Sequence, residues 1–431
     1  MSHDIPVLYE ATPVGTIRVA EAGPSFSYDP AWITLRGAFP VSLTMPLGPA
    51  EAPPSVLAPW LMNLLPEGSQ LLTIGRNLGI APQDIVGLLE RIGRDTAGAL
   101  RIGDAAHGGA PGYKTVPDGA ALERIIEELP AKPFLASDEG VSMSLAGAQE
   151  KLPVALDDGV VAIPLNGAPS THILKPDNKG LYGSVQNEAL CLALARRVGL
   201  RSATATTGVA GARSYLLVTR YDRTLREGRW RRLHQEDFCQ ALGKPPGAKY
   251  EHNQTGIRGP GLADLFGVAR RHMTAADVIE LMDAVVLNVL LTNVDAHAKN
   301  YSILLTGRGV RLAPLYDLMC GDAWANVTQN MAQDIGGQNR GRHIHGRHWR
   351  RMAAGCGLNA TGLLRRVATL AGKVAAEVDG AAAEVEAMPA GGHPMLGDFA
   401  AAIRARCRTV VLNLAEDGPE QAVSPEGSRV G

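Results

Sequence analysis

The stretch Asn293-Val-Asp295-Ala-His297-Ala-Lys299-Asn300 follows directly on Ala276–Thr292, a segment that is apolar nearly all round. Such a segment reads as a buried central helix, and the polar cluster falls where that helix ends and before a strand candidate at Ser302–Leu305. Polar residues gathered at a core junction need a chemical or a capping reason. Asp295 and Asn300 stand in a D-x-x-x-x-N relation, and Asp317, in Leu315-Tyr-Asp317, lies beyond a candidate hairpin completed by Val310–Ala313. In phosphoryl transfer the first acid orients the attacking hydroxyl, while the amide and the second acid hold magnesium against the nucleotide phosphates. That ion prefers hard oxygen ligands and needs few from the protein, because it keeps water and phosphate oxygens. A polar loop whose Asp and Asn cap turns fits the same residues, and spacing alone does not separate the two readings.

Moving outward, phosphoryl transfer also needs a cation on the phosphates. His172-Ile-Leu-Lys175 reads as a strand ending in lysine, and Glu188 lies on the helix candidate Gln186–Val198 that follows. A strand-borne lysine with a helix-borne carboxylate reproduces the ion pair that positions a kinase lysine, although a lone lysine at a strand end is more often simply solvated. Upstream, Ser142-Met-Ser144-Leu-Ala146-Gly-Ala-Gln-Glu-Lys151 is a run of small residues before a strand. Small side chains let backbone N–H groups approach phosphates, but the single glycine makes this neither G-x-G-x-x-G nor a Walker A loop.

The chain around these segments divides by pattern. Residues 1–106 read as a small α+β unit, with strands at Val7–Glu10 and Thr16–Ala20 and helices at Val56–Leu65, Ser69–Leu78 and Pro82–Arg91, the last with Pro82 in its first turn. Residues 107–235 open on a looser stretch, carry a helix candidate at Ala120–Leu129, and read as a β-rich lobe around one helix. Its strand candidates are Lys151–Ala155, Val160–Ile163, His172–Lys175, Ala203–Val209 and Ser214–Val218. Residues 236–415 are almost wholly helical, and 416–431 lack an apolar face and read as a disordered tail.

Composition excludes several classes. With 431 residues, 45% hydrophobic and 20% charged, the chain has ample core for a two-lobed body. Lys+Arg 42 against Asp+Glu 43 gives a formal net charge of −1, so binding to nucleic acid driven by bulk charge is not indicated. Five cysteines without a C-x-x-C suggest neither a disulfide framework nor a zinc site, which fits a reducing cytoplasm. Neither a signal peptide nor a membrane span is legible.

Taken in order, LMNLLPEG (61–68), IGRDTAGALRI (92–102), SLAGAQEK (144–151), HILKP (172–176), NEALCLALA (187–195), LLVTRYDR (216–223), RLHQEDFCQALG (232–243), KYE (249–251), GPG (259–261), TNVDAHAKNYSILL (292–305) and LAPLYDLM (312–319) resemble the HipA family of bacterial serine/threonine kinase toxins. The resemblance runs over nearly the whole chain and includes the small N-terminal subdomain of the family's full-length form. It implies an α+β, two-lobed protein-kinase-like fold: the N-terminal subdomain, a β-rich nucleotide lobe and a mostly helical catalytic lobe. By position it implies Asp295 as the catalytic acid, with His297 close to the transferred phosphate, and Asn300 and Asp317 as magnesium ligands. Lys175 would contact the α/β-phosphates and Ala146, Gly147, Ala148, Gln149, Glu150 and Lys151 would form the phosphate loop. Thr219, Tyr221 and Asp222 match the hinge that holds adenine and ribose, and Tyr316 would wall the pocket. Ser144 aligns with the serine that these kinases autophosphorylate to shut themselves down, and Ser142 with a second site of short-form relatives. Adding about −1.5 to −2 charges to a loop that cradles phosphates supplies the repulsion for such a switch.

The resemblance further implies ATP and Mg2+ as cofactors, a HipB-type helix-turn-helix antitoxin as partner, and a translation protein such as an aminoacyl-tRNA synthetase as substrate. DNA contact would be indirect, through the antitoxin, and no membrane is implied. Two alternatives stay open: a lipid or small-molecule kinase, since D-x-H-x-x-N also resembles phosphoinositide-kinase loops, and a catalytically silent regulator that binds antitoxin and DNA. The basic run Arg340–Arg351, with His343, His345 and His348, reads either as a solvated face or as a contact for an acidic surface.

Overall fold

Alternating apolar residues make the first strands. Ile5 and Val7 of His3–Tyr9 and Phe26 and Tyr28 of Gly23–Tyr28 alternate into the core, and Val14 and Ile17 of Thr12–Ala20 join them across a register shift opposite Val7 and Leu8. The three strands pair antiparallel in a computed structural model that describes residues 3–103 and 109–415. Leu100–Ile102 completes this sheet on the free side of the first strand. Helices Pro54–Met62, Ser69–Leu78 and Ile85–Ile92 cover it and close a core around Trp32, Trp60 and Phe26. The third helix begins later than its sequence suggests. Asp84 caps it by accepting from the Gly87 amide, so Pro82 lies in the preceding turn and not in the helix's first turn.

The second layer is a six-stranded antiparallel sheet in the order Gly112–Thr115, Val160–Leu165, Leu152–Asp157, His172–Pro176, Arg213–Thr219, Ala205–Ala210. Its first strand arises in the stretch that composition reads as loose. Helix Ser184–Arg197 packs against the sheet with Ala189–Ala195 wholly buried. A hairpin, Arg223–Arg226 with Arg229–Arg232, follows the sheet.

Helices Leu262–His272, Ala275–Leu291, Gly346–Cys356, Ala360–Glu386 and Leu396–Ala415 build the remaining lobe. Ala275–Leu291 is the central one: every residue from Leu281 to Leu291 is buried, and Thr274 and Asp277 form a capping box at its start. A three-stranded sheet, Gln235–Asp237 with Ser302–Thr306 and Gly309–Leu312, sits at the end of this helix beside the cleft. The basic run is not a uniformly solvated face, since Trp349 and His348 are buried from helix Gly346–Cys356. All five cysteines are buried and unpaired, and no helix among the described residues is long and apolar enough to cross a membrane. The tail 416–431 and residues 104–108, where the first division falls, lie outside the described residues.

Candidate active site

Thr292 ends the central helix in the left-handed region, at φ 59°. The turn releases Asn293–Asn300 into the cleft, where short local bonds shape it. The Asp295 amide donates to Asn293 Oδ1 (3.3 Å), the His297 amide to the Asp295 carbonyl (2.7 Å) and the Asn300 amide to the His297 carbonyl (2.8 Å). Asn300 also donates its side-chain nitrogen to the Asp295 carbonyl at 2.8 Å. Its side-chain oxygen is left without a hydrogen bond among the described residues.

Across the cleft, Lys175 comes from the strand His172–Pro176. Its Nζ donates to Glu188 Oε1 and Oε2 at 2.8 and 2.9 Å, and to Asp317 Oδ1 at 2.7 Å. The sheet and helix Ser184–Arg197 therefore bring the predicted pair together, and Asp317 joins it. Burial alone would raise the Asp317 carboxyl, but the Lys175 and Lys151 charges outweigh it and hold it well below the usual range. Asp317 sits in the left-handed region, at φ 55°. Strain of that kind in a non-glycine residue is common where a side chain must be aimed.

A cavity of about 390 Å³ joins these groups. Its walls include Lys151, Lys175, Glu188, Asp295, His297, Asn300 and Asp317, and from the small-residue loop Ala146, Gly147, Ala148 and Gln149. Glu150 is not among the lining residues. Gly147 has φ 106°, a conformation side chains rarely adopt, and an added Cβ would lie 2.7 Å from Lys151 Nζ. Lys151 donates back to the Ala146 carbonyl, and burial lowers its pKa to about 8. Tyr221 and Tyr316 stand side by side at the other end, with ring centroids 5.7 Å apart. Tyr316 Oη donates to the Lys299 carbonyl at 2.6 Å.

Asp222 and Thr219 also line this end of the cavity, but Asp222's oxygens are already engaged. They accept from Arg220 (2.9 and 2.7 Å) and from the Gly98 amide (2.7 Å), and Arg223 lies at 3.0 Å. Ser142 and Ser144 lie behind the loop and not on the cavity wall. Ser144 is wholly buried, its Oγ donating to the Leu64 carbonyl at 2.7 Å, and Ser142 Oγ donates to the Arg91 carbonyl at 2.8 Å.

Burial raises Asp295 to about 6; a hydrogen bond from Tyr250 works against that shift and the nearby Asp317 charge adds to it. Such a carboxyl is poised to exchange a proton near neutral pH. Burial, reinforced by Lys249, lowers His297 to about 3, so its ring is neutral, and His297 Nε2 lies 3.8 Å from Asp295 Oδ1. Its Nδ1 is buried without a hydrogen-bond partner.

Several residues of the site have no role in the sequence reading. Asn63 and Glu67 reach the cavity from the N-terminal unit, and Lys249, Tyr250 and Lys299 from the helical lobe. The only signal for them is that they lie in LMNLLPEG, KYE and TNVDAHAKN, segments that carry the family resemblance but suggest no chemistry for these positions.

Fold and cleft together define a two-lobed, protein-kinase-like α+β enzyme. Two family models match: HipA N-terminal domain over residues 5–103 and HipA-like C-terminal domain over residues 143–382. The chain belongs to the HipA family of serine/threonine kinase toxins. It is 38% identical over 362 residues to the putative kinase Y4mE of Sinorhizobium fredii, covering 82% of this chain and 85% of that one. It is 32% identical over 324 residues to the serine/threonine-protein kinase toxin HipA of Shewanella oneidensis, covering 70% and 71%. The solved HipA from the Shewanella oneidensis HipA, HipB and operator DNA complex superposes with a TM-score of 0.85 at 25% identity, over 96% of this chain and 98% of that one.

Proposed function

We propose that the protein transfers the γ-phosphate of ATP to a serine or threonine hydroxyl of a protein, as the toxin of a toxin–antitoxin pair. One observation carries the reading: Lys175, held by Glu188 and Asp317, shares a single cavity with Asp295 and Asn300. In this reading residues 107–235 are the nucleotide lobe, 236–415 the catalytic lobe and 1–106 the docked N-terminal subdomain. Lys175 and the loop Ala146–Lys151 receive the phosphates, while Thr219, Tyr221, Asp222 and Tyr316 border the base and ribose. Asp295 takes the proton of the attacking hydroxyl, and neutral His297 offers an N–H to the transferred group without competing for charge.

The donor set suits magnesium, because the Asn300 side-chain oxygen and the Asp317 carboxylate are hard oxygens facing one cavity. Bound there, the ion would neutralise charge on the β- and γ-phosphates.

Autophosphorylation of Ser144, or of Ser142, is the proposed shut-off. A phosphate cannot occupy a wholly buried position against the Leu64 carbonyl, so the modified loop must leave its seat and the phosphate-binding wall with it. Family membership supports a HipB-type antitoxin, which would supply the DNA contact, and a translation protein such as an aminoacyl-tRNA synthetase as substrate.

The test is transfer of labelled γ-phosphate into lysate protein by the purified chain, beside Lys175→Met and Asp295→Asn. The unsubstituted chain should label protein bands and both variants should not. Undiminished labelling by either variant would sink the role of the residue it replaces.

A further inference from the structure

Two motifs that the sequence leaves without chemistry meet in the cleft. Leu64-Leu-Pro-Glu67 precedes the helix Ser69–Leu78 of the N-terminal unit, and Lys249-Tyr250-Glu251 belongs to the helical lobe, yet Lys249 Nζ donates to Glu67 Oε2 at 2.7 Å across 182 positions of sequence. Both side chains are largely buried, at 15% and 16% exposure, where an ion pair is screened far less than at the surface. Glu67 Oε1 is buried with no hydrogen bond and lies 3.8 Å from Lys299 Nζ, which belongs to Asn293–Asn300 itself. Lys299 in turn donates to Asn63 Oδ1 at 2.6 Å, again from the N-terminal unit.

The same residue holds the other wall by its backbone. The Glu67 amide donates to the Gly147 carbonyl at 3.1 Å, and Pro66 pairs with Gly147 in an isolated bridge. Glu67 therefore touches the phosphate loop through its main chain and the catalytic lobe through its carboxylate. From Lys249 the contacts run on to the reacting groups. Its ammonium stands 5.7 Å over the Tyr250 ring, Tyr250 donates to Asp295, and the His297 ring meets Tyr250 edge-on at 5.0 Å. The Lys249 carbonyl accepts from the Ala298 amide at 3.1 Å, which ties the two segments together.

We propose that Glu67 is a positioning residue of the phosphoryl-transfer site: by holding Lys249 it fixes Tyr250 against Asp295, which makes the N-terminal unit part of the catalytic apparatus. The inference rests on the kinase reading. Without the carboxylate, Lys249 is freed from the N-terminal unit and no longer holds Tyr250 in place against Asp295, the oxygen that must meet the substrate hydroxyl. The nucleotide should notice less, because Lys175 and the phosphate-loop backbone are untouched.

The experiment measures kcat and KM for ATP for the unsubstituted chain, Glu67→Gln, Glu67→Asp, Lys249→Met and the Glu67→Gln/Lys249→Met pair. Displacing a reacting group by about 1 Å can cost around 100-fold, so kcat of Glu67→Gln should fall roughly 10- to 100-fold with KM changed less than about threefold. Glu67→Asp, which keeps the charge, should recover part of the loss. The double variant should be no slower than the worse single one, because both substitutions break the same ion pair. If Glu67→Gln does not fold, Lys249→Met removes that pair from the other side and must show the same split. An unchanged kcat, a loss confined to KM, or additive losses in the double variant would overturn the proposal and leave Glu67 a mere docking contact. No transfer by the unsubstituted chain overturns the kinase reading instead, and this inference with it.

Discussion

Asp95→Ala should be among the most damaging single changes in this protein, although Asp95 touches no substrate. Its carboxylate is wholly buried where the N-terminal unit meets Arg220, Asp222 and the hairpin Arg223–Arg226 with Arg229–Arg232. Oδ1 accepts from Arg223 at 2.9 Å and Arg232 at 3.1 Å, and Oδ2 accepts from the Ser170 amide and hydroxyl at 3.1 and 2.5 Å. Arg220 lies 3.5 Å away and, like Arg223, also pairs with Asp222. Three buried guanidiniums thus converge on Asp95, and removing it leaves Arg220 and Arg223 to Asp222 and Arg232 without an ion-pair partner among the described residues. Breaking a buried ion network from one side costs about 3–5 kcal/mol, a large part of the 5–15 kcal/mol that typically holds a domain folded. Burial would raise the Asp95 carboxyl, but Arg223, Arg220 and Arg232 together pull it far below the ordinary range. A depressed carboxyl stabilises the fold above its unfolded pKa, near 3.9, and that stability is lost only as pH falls below it. The deficit of the variant should therefore be the same at pH 8 and pH 5. Urea unfolding followed by circular dichroism is the assay. With a slope of about 3 kcal/mol per molar, the midpoint should drop by about 1–1.7 M at both pH values. A shift below about 0.3 M, or one that halves between pH 8 and pH 5, would refute the argument.

Three further outcomes are expected. Phosphate transfer should fall as pH drops through about 6, where Asp295 takes up a proton, and Tyr250→Phe should move this acid limb upward because the tyrosine's hydrogen bond favours the charged form; a limb near pH 4 in the pH–rate profile would contradict this. Ser144→Ala should cost about 1 kcal/mol in thermal unfolding, for one buried hydrogen bond, and should give transfer that stays linear while the unsubstituted enzyme slows; matching progress curves would remove Ser144 as the switch. Chelation of divalent metal should abolish transfer and magnesium should restore it, whereas full activity in the chelator would exclude metal binding by Asn300 and Asp317 as a step of the reaction.

What the sequence reveals and what it hides follow physical lines. Ala275–Leu291 is legible because its stretch Leu281–Leu291 is buried on every side and so is mostly apolar all round, and Ser69–Leu78 because its apolar residues keep a helical period. The Lys175 strand and the Glu188 helix are legible because regular elements carry them. The hairpin Arg223–Arg226 with Arg229–Arg232 is not, because its composition looks solvated while Arg223 and Arg232 are in fact buried on Asp95. Nothing local marks that pairing, since the partners stand 128 and 137 positions apart. The strand Gln235–Asp237 is three residues long, too short for any period to show. Glu67 and Lys249 are hidden for the same reason as Asp95: long-range ion pairs leave no spacing, and only the folded chain brings them within 2.7 Å. Both sit in segments conspicuous for resemblance alone, so sequence marked the place without the chemistry.

The most direct test is intact-mass analysis of the purified chain after incubation with Mg·ATP, with phosphosite mapping and Asp295→Asn alongside. The account predicts phosphate on Ser144 or Ser142 in the unsubstituted chain and none in the variant. An unsubstituted chain that binds ATP and remains unmodified, or an Asp295→Asn variant modified to the same extent, would contradict it.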